Sequence, residues 1–465
     1  MDFINDAHCQ FNRTRVGSVI EVKETGDIQS AIARCRQEGW PLSMTGGRHC
    51  LGGQPFATDG LVLDMRGLNR VISLDETTGV LHIQGGTLWT DVRQFLTSHS
   101  SAAKWEVHQK QTGADEMSVA GAMAVNAHGN PLGVGPISSD IEWLKVLDAY
   151  GEERLCSRDS HADLFGLILG GMGLFGVVTE IGLRLVPEQR FLRCSEVTRV
   201  ESVVKAWDQL HADYQYGDMQ LDVNPDSPHF LKRGILNVWR TYDADTAASN
   251  GNSQFKADWS RLITLAHVDK AQGFREYTRF AEAVNGSIST GRDFHWDAYT
   301  NGYHAQLEQR LELPRGGDVL AEFFVPVEAL PSLLDFTGNQ IRSTGVDPIL
   351  TTVRSVRQCQ VSYLRWARRD YACMVMALHV DHCQSQLARL DAFCSAVARF
   401  CGQHHGTFYL PYRRFAQRDD LLRMYPNVRE FLEEKLRRDP DGLFGSDWFG
   451  YLQDVLSEEP VMGKG

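Results

Sequence analysis

The stretch PLSMTGGRHCLGGQ, residues 41–54, begins as a short strand over Pro41–Met44 and continues as a loop with four glycines in eight positions. Glycine lets the backbone adopt positive φ and turn its N–H groups inward as an anion-binding nest. Arg48 adds a planar cation that suits phosphate, and His49 offers a nucleophilic ring nitrogen at the edge of that nest. The stretch therefore predicts a dinucleotide site with a histidine tether, and flavin is the leading candidate. Taken alone, it also fits a solvated turn.

The composition is that of a globular protein with more than one domain. At 465 residues the chain is too long for a single hydrophobic core, so we expect two or three domains. Lys and Arg number 47 against 59 Asp and Glu, which gives a net charge of −12. Because no basic run appears, neither a nucleic acid nor an anionic membrane surface is an expected partner.

The cysteines and the apolar runs bear on metal content and location. The ten cysteines are scattered without a CxxC pair, so they predict free thiols and no metal site. Residues 1–15 lack the basic start and apolar centre of a signal peptide. The longest uncharged run, 164–179, is too short to span a bilayer and contains five glycines. We expect no membrane span and a cytoplasmic location.

Short helices and strands surround the glycine loop. Apolar spacing predicts a helix over 27–39 with Asp27 as its cap, and another that opens at 85–88. β-rich runs between turns predict strands at 61–64, 71–74, 80–84 and 141–150. The first 100 residues therefore form a small α+β unit.

A second informative stretch is GADEMSVAGAMAVNAHG, residues 113–129, in which small residues dominate. Such a run allows backbone to approach a flat ring closely, and His128 stands at its end. A tightly packed Ala/Gly helix in the core is the alternative interpretation.

Residues 171–176 form a formal GxGxxG, which is typical of nicotinamide-dependent dehydrogenases when a helix follows it. Here Val177, Val178 and an alternating apolar run follow, which predicts a strand. The nicotinamide interpretation is therefore disfavoured.

Beyond residue 187 the pattern changes to longer strands and amphipathic helices, which predicts a sheet covered by helices. Predicted strands are 191–200, 234–240, 319–325, 349–356 and 372–380, and predicted helices are 201–214, 384–400 and 421–437. The polar stretch Asp243–Ser253 is predicted to be an exposed loop.

In this order the stretches resemble the FAD-linked oxidases of the vanillyl-alcohol oxidase type, with their PCMH-type FAD-binding fold. GGRHCLGGQ is similar to the covalent-flavin loop of cytokinin dehydrogenases and of sugar or aldonolactone oxidases. MSVAGAMAVNAHG and DLFGLILGGMGLFGVVT look like later flavin-binding segments, and RMYPNVREFLEEKLRRDPDGLFGSDWFGYL resembles the C-terminus of decaprenylphosphoryl-ribose oxidases. The resemblance covers 12–187 and 405–452, and over 188–404 it is architectural only.

The resemblance implies an α+β fold in three parts. Residues 12–187 would be a PCMH-type FAD-binding domain of two small α/β subdomains. Residues 188–408 would be a substrate-binding cap domain with a helix-covered antiparallel sheet, and residues 409–465 a segment that returns to the FAD domain.

The resemblance also implies the cofactor-binding residues. His49 would bond to the 8α-methyl of the flavin ring, as the single covalent attachment, because Glu116 and Met117 stand where the berberine-bridge branch has a cysteine. The other implied FAD contacts are Thr45, Gly46, Gly47, Arg48, Cys50, Leu51, Gly53, Gly113, Ser118, Val119, Gly121, Val125, Asn126, Val178 and Tyr409.

Four residues are candidates for catalysis. Tyr412 stands where the ribose oxidases carry a lysine, and we expect it to accept a proton or to hydrogen-bond the substrate. Arg413 would lower the pKa of Tyr412 or hold an anionic substrate. His128 would position substrate or flavin, or else bond to backbone only, and Cys373 falls near a cysteine that faces the flavin in the ribose oxidases.

The implied activity is oxidation of a C–OH or C–N centre of a small polar molecule, by hydride transfer to flavin N5 with oxygen as the electron acceptor. The alternatives are a natural-product oxidase with a phenolic or heterocyclic substrate and a dehydrogenase with a quinone or protein acceptor. A flavoprotein without catalysis also fits the sequence.

Overall fold

The loop that follows residue 45 is held by a small parallel sheet. The computed structural model describes residues 2–99, 102, 104–242, 257–294 and 303–457. The first elements of the chain are β1 (Asp2–Ile4), β2 (Thr14–Val16), β3 (Ser18–Glu21), α1 (Thr25–Glu38), β4 (Leu42–Thr45) and β5 (Leu61–Asp64). β1 and β2 pair antiparallel, whereas β5 pairs in parallel with both β3 and β4. The glycine loop therefore leaves the carboxyl end of an edge strand.

A second sheet of six strands follows, in the order β10-β9-β11-β7-β6 with β8 paired to β11. Its elements are β6 (Val71–Asp75), β7 (Val80–Gln84), α2 (Trp89–Ser98), β8 (Trp105–Val107), α3 (Val119–Ala124), β9 (Ile141–Leu147), β10 (Glu153–Ser157), α4 (Ala162–Ile168) and β11 (Val177–Pro187). The GxGxxG at residues 171–176 runs into β11, as predicted. It thus lacks the helix that a Rossmann motif requires.

The third sheet has eight antiparallel strands in the order β15-β12-β14-β13-β17-β18-β16-β19. The elements of this part are β12 (Arg190–Arg199), α5 (Val200–Lys205), α6 (Trp207–Asp213), β13 (Tyr216–Leu221), β14 (Arg233–Thr241), α7 (Trp259–Val268), α8 (Lys270–Val284), β15 (Ile288–Thr290), α9 (Gly291–Phe294), α10 (Tyr303–Leu311), β16 (Gly316–Val325), α11 (Leu330–Thr344), β17 (Asp347–Val356), β18 (Tyr371–Asp381), α12 (Gln384–Gln403) and β19 (Thr407–Phe408). With its helices, this antiparallel sheet confirms the predicted α+β class.

The side chains of β16 alternate between the two faces of this sheet. Val319, Ala321 and Phe323 are buried in the core that the sheet shares with α11 and α12. Asp318 and Glu322 lie on the other face, because successive side chains of a strand point to opposite sides.

The chain ends with α13 (Arg418–Met424), α14 (Val428–Arg438) and α15 (Asp447–Leu456). The segment before α15 returns to the parallel sheet, where the Leu42 N–H donates to the Leu443 carbonyl over 2.7 Å. The Asp447 carboxylate accepts from Thr58 at the N-terminus of α15. Among the helices in the described ranges, none has the length and apolar composition needed to cross a membrane.

Several element predictions need correction. α1 begins two residues early, with Glu24 as its N-cap, and Asp27 instead accepts the Glu24 N–H from the first turn. The single helix predicted over 201–214 is broken at Ala206, and the one predicted over 421–437 is broken at Pro426, whose ring removes a donor. The loop predicted over Asp243–Ser253 lies outside the described residues.

Candidate functional site

One large cavity lies between the glycine loop and the eight-stranded sheet. Its volume is about 1250 Å³, whereas sites for a single small molecule are commonly about 300–1,000 Å³. Residues 44–51, parts of 111–128 and parts of 168–178 line one side. Side chains from β13, β14, β16, β17, α7 and α8 line the other. The cavity therefore has room for a cofactor together with a substrate.

Two glycine-containing segments pack backbone against backbone at the first side of the cavity. A Cβ atom at Gly46 would collide with the Ser118 side chain, and one at Gly47 would collide with the Glu116 carbonyl. Ser118 caps α3 by accepting the Gly121 N–H over 3.1 Å. Larger residues at these glycines would force the two segments apart, which explains the small-residue composition of both.

His49 is buried in this part of the cavity, and its ring contacts the ring of His8. The Nδ1 atom of His49 lies 2.9 Å from Nε2 of His8. Within the described residues, Nε2 of His49 has no hydrogen-bond partner. Burial, with the nearby His8 and Lys110, lowers the pKa of His49 to about 3. The imidazole is thus neutral at physiological pH.

Glu322 forms the polar centre of the opposite side. Its Oε1 atom accepts from the Tyr412 hydroxyl over 2.7 Å, and its Oε2 atom lies 2.9 Å from Nε2 of His128. Burial opposes ionisation of this carboxyl, but His128, Tyr412 and Arg354 outweigh it and hold its pKa below the usual value. Nδ1 of His128 lies 3.0 Å from the Gly129 carbonyl. Both ring nitrogens of His128 therefore face oxygen atoms, which fixes the orientation of the ring.

Comparison with known proteins agrees with this geometry. Residues 17–157 match the family model described as an FAD binding domain. L-gulonolactone oxidase of Mus musculus is 22% identical over 445 residues, which cover 93% of each chain. Cytokinin dehydrogenase 2 of Oryza sativa is 28% identical over 242 residues, 48% of this chain and 42% of the relative. A putative D-arabinono-1,4-lactone oxidase of Neurospora crassa is 24% identical over 190 residues, 41% of this chain and 33% of the relative.

Residues 17–157 thus form an FAD binding domain, and the relatives support a place for the chain among the PCMH-type FAD-linked oxidases. FAD is therefore its cofactor. The cavity fits that group, because Nε of Arg48 and Nε2 of His49 are buried without a hydrogen-bond partner among the described residues. Polar atoms that are buried without a partner destabilise the fold unless a ligand forms hydrogen bonds with them. The second and third relatives are covered over less than half their length, so their full activities do not transfer directly.

Most of the predicted cofactor residues of this FAD-linked oxidoreductase line the cavity. They are Thr45, Gly46, Gly47, Arg48, His49, Cys50, Leu51, Gly113, Ser118, Gly121, Val125, Val178 and Tyr409. Gly53, Val119 and Asn126 do not, and these three predictions are corrected. Gly53 faces the Arg414 and Asn12 side chains. Val119 is buried in the core, and the side-chain oxygen Oδ1 of Asn126 accepts the Ser138 N–H.

Tyr412 lies in the cavity, but its predicted role as a proton acceptor needs revision. Its hydroxyl already donates to Glu322, and burial with the charge of Glu322 raises its pKa well above the usual value. Tyr412 is therefore protonated at neutral pH and cannot act as a phenolate base. Tyr412 can still form a hydrogen bond to the substrate.

Arg413 and Cys373 do not line the cavity. The Arg413 guanidinium pairs with Asp391 of α12 over 2.7 and 2.9 Å. The prediction that it lowers the pKa of Tyr412 or holds a substrate is therefore wrong. Cys373 on β18 is buried, with its sulfur 3.9 Å from Nε2 of His128. Burial raises the pKa of its thiol well above the usual value, so Cys373 packs beside His128 and Glu322 as a neutral group.

His128 lines the cavity and contacts both the Gly129 carbonyl and Glu322, so the alternative in which it bonds to backbone only is wrong. The sequence analysis missed its partner Glu322. The signal was available, because Glu322 is the one charged residue in the apolar run VLAEFFV of β16. Arg354 was also missed. Its guanidinium donates to the Thr112 hydroxyl over 2.6 Å and lies close enough to lower the pKa of Glu322.

The far end of the cavity combines aromatic rings with a hydrogen-bonded network. Arg193 donates to Asn237 over 2.7 Å, and Asn237 donates to Asp218 over 3.2 Å. The Arg193 guanidinium also lies over the Trp239 and Phe280 rings at 5.2 and 5.4 Å. None of these residues belongs to a recognisable motif, so only the fold brings them together.

Proposed function

We propose that this protein oxidises a C–OH or C–N centre of a small polar molecule. One observation carries the proposal: the His49 loop and the Glu322–Tyr412–His128 group line the same cavity. When bound, FAD supplies hydride acceptance from the substrate carbon and delivery of the electrons to an acceptor, for which we propose oxygen. The similarity to lactone oxidases and cytokinin dehydrogenases supports this class of reaction.

The side chains of this protein manage the proton that the substrate hydroxyl loses. The Tyr412 oxygen can accept a hydrogen bond from that hydroxyl while its own hydrogen points to Oε1 of Glu322. In the proposed step the substrate proton moves to Tyr412 and the tyrosine proton moves to Glu322. Glu322 ends neutral and Tyr412 is unchanged. His128, which lies 2.9 Å from Oε2, helps to keep Glu322 ionised before the step.

We propose that His49 carries the FAD through its Nε2 atom. If Nδ1 donates its hydrogen to His8, Nε2 keeps a lone pair directed away from His8. The low pKa of His49, caused by burial, keeps that lone pair available. Arg48 and the Gly46–Gly47 backbone would contact the diphosphate, and a single attachment is expected.

We further propose that residues 12–187 form the FAD-binding domain, residues 188–408 a substrate-binding cap, and residues 409–465 a returning segment. The shared cavity and the bond between Leu42 and Leu443 support this division. We also propose a cytoplasmic location, which the ten free thiols support.

The proposed proton transfer is tested with Glu322→Gln under anaerobic conditions. Polyols, aldonolactones and amines are mixed with the protein, and bleaching of the flavin absorbance is followed by stopped-flow. For a substrate that bleaches the wild type, the variant should reduce its flavin about 10²–10⁴-fold more slowly with unchanged flavin content. The exposed Asp335→Asn serves as the matched control. A wild-type reduction rate in Glu322→Gln would contradict the proposal.

A natural-product oxidase with a phenolic or heterocyclic substrate is the second candidate. The Trp239 and Phe280 rings at the far end of the cavity favour it, because aromatic surfaces stack on flat ligands. The same bleaching assay with a panel of phenols and N-heterocycles distinguishes the two candidates. Hydrogen peroxide measured against dye or quinone reduction then separates an oxidase from a dehydrogenase.

A further inference from the structure

A second cluster of chemically active side chains adjoins the same cavity through Asp318 and takes no part in the proposed proton transfer. It consists of His267 on α7, Asp318 on β16 and His379 on β18. One imidazole nitrogen from each histidine and a carboxylate oxygen lie within 4.8 Å of one another. The cluster therefore presents three ligand atoms at one point.

The distances within the cluster fit a bound metal ion. Nδ1 of His379 lies 3.2 Å from Oδ1 of Asp318, and Nε2 of His267 lies 3.8 Å from Oδ2. Ligands that are about 2.0–2.2 Å from a tetrahedral Zn²⁺ ion are separated from each other by roughly 3.3–3.5 Å. A divalent ion could thus be accommodated with small side-chain movements.

The three side chains are buried, and further charged groups lie close to them. The side chains of His267 and Asp318 are 3% and 4% exposed, and that of His379 is 14% exposed. Buried groups of this kind need strong partners. Asp381 adds a carboxylate 3.5 Å from Nε2 of His379, and the positive charge of Lys270 is matched by Asp347 at 2.9 Å.

Two of the three ligands are fixed by the sheet. Asp318 and His379 are directly opposite each other in the antiparallel pair of β16 and β18. Asp318 itself lines the cavity, as does Lys270 near His267. A metal ion held here would have protein on one side and an open coordination position toward the cavity.

We propose that His267, Asp318 and His379 form a binding site for a divalent transition-metal ion of the Zn²⁺ type. Two imidazoles and one carboxylate form a donor set that such ions prefer. The site lies on the same strand face as Glu322, four residues away, which corresponds to roughly 13 Å. It is separate from the proposed proton transfer, and an oxygen or nitrogen donor of a cavity ligand can take the open position. The sequence analysis predicted no metal because it considered cysteine spacing only.

The test uses flavin-loaded protein that has been dialysed against EDTA and then against buffer. Zn²⁺ is titrated by calorimetry, and the metal retained after gel filtration is measured by mass spectrometry. We expect one equivalent of Zn²⁺ per chain. Asp318→Asn and His379→Gln should each weaken binding by at least about tenfold, whereas the exposed control His99→Gln should bind as the wild type does.

A second measurement on the wild type guards against variants that do not fold. Co²⁺ substituted into the wild type should give the visible d–d bands of a low-coordinate site, and X-ray absorption at the zinc edge should show two imidazole ligands. The proposal is overturned if the wild type retains no more Zn²⁺ than traces, if the variants bind as tightly, or if no imidazole is found. Flavin content is recorded throughout, so a metal-free yellow protein refutes this site only, and a colourless protein refutes the FAD proposal.

Discussion

The two sides of the cavity are built in different ways. The cofactor side comes from short continuous segments such as residues 44–51, whose backbones pack closely because glycines remove the side chains. The substrate side comes from single side chains on separate strands, for example Asn237 on β14 and Glu322 on β16. The first side depends on local backbone shape, and the second depends on strand register. Changes on the two sides should therefore affect different measurements.

The largest effect is expected from Glu322→Gln, which removes the carboxylate on the substrate side only. Flavin reduction should slow by about 10²–10⁴-fold, because the proton has no acceptor beyond Tyr412. Flavin content and the flavin spectrum should not change. A loss of flavin from this variant would show that the two sides are not independent.

Gly47→Ala should give the opposite result. Its Cβ atom would collide with the Glu116 carbonyl, so the two cofactor-side segments must separate. We expect a loss of about 1–3 kcal/mol in the free energy of unfolding and less flavin per chain. Denaturant melts and the ratio of flavin absorbance to protein measure both. The control is Gly450→Ala, where nothing lies within 4 Å of the added atom.

Glu106 tests the contact between the six-stranded sheet and the part of the chain that follows it, because it lies on β8, against which α9 packs. Burial and the charge of Glu188 raise its pKa from 4.5 to about 7. The folded state then holds a proton that the unfolded state releases, so stability falls as pH rises from about 4.5 to about 7 and is level above that.

Glu106→Gln should therefore stabilise the protein at pH 8 by about 1–3 kcal/mol and change little at pH 4. Urea melts at the two pH values measure the difference. Equal effects at both pH values would mean that the pKa of Glu106 is the same in the folded and the unfolded chain, which would contradict the raised pKa.

The smallest effect is expected from His8→Ala. This variant removes the partner of Nδ1 of His49 and leaves the proposed attachment atom in place. Losing one hydrogen bond of this kind is worth about 1 kcal/mol, so attachment of FAD to freshly made apoprotein should slow about fivefold. The time course of acid-stable flavin measures it, and an unchanged rate would remove His8 from the attachment site.

The sequence predicted the cofactor side far better than the substrate side, for a physical reason. Strands β5 and β7, and the strand after Gly176, follow from local β-branched runs and turns, and the structure confirms them. The helices α7 and α8 and the strand β13 were not predicted. α8 is largely polar and contains Gly273, so its helical pattern is weak.

The same difference between local sequence pattern and long-range packing explains which site residues were predicted. His49 was found because a glycine loop surrounds it, whereas Glu322 and Arg354 belong to no motif. They meet His128 and Thr112 only through strand register and the packing of distant segments. Arg413 shows the converse error, because it follows Tyr412 in the sequence but points to Asp391.

The most direct test is acid precipitation of the purified protein followed by mass spectrometry of the pellet. We expect the flavin to stay with the wild-type chain and to be found on the peptide that contains His49. We expect His49→Ala to release all of its flavin into the supernatant. Complete release from the wild type, or flavin on another residue, would contradict the proposed attachment.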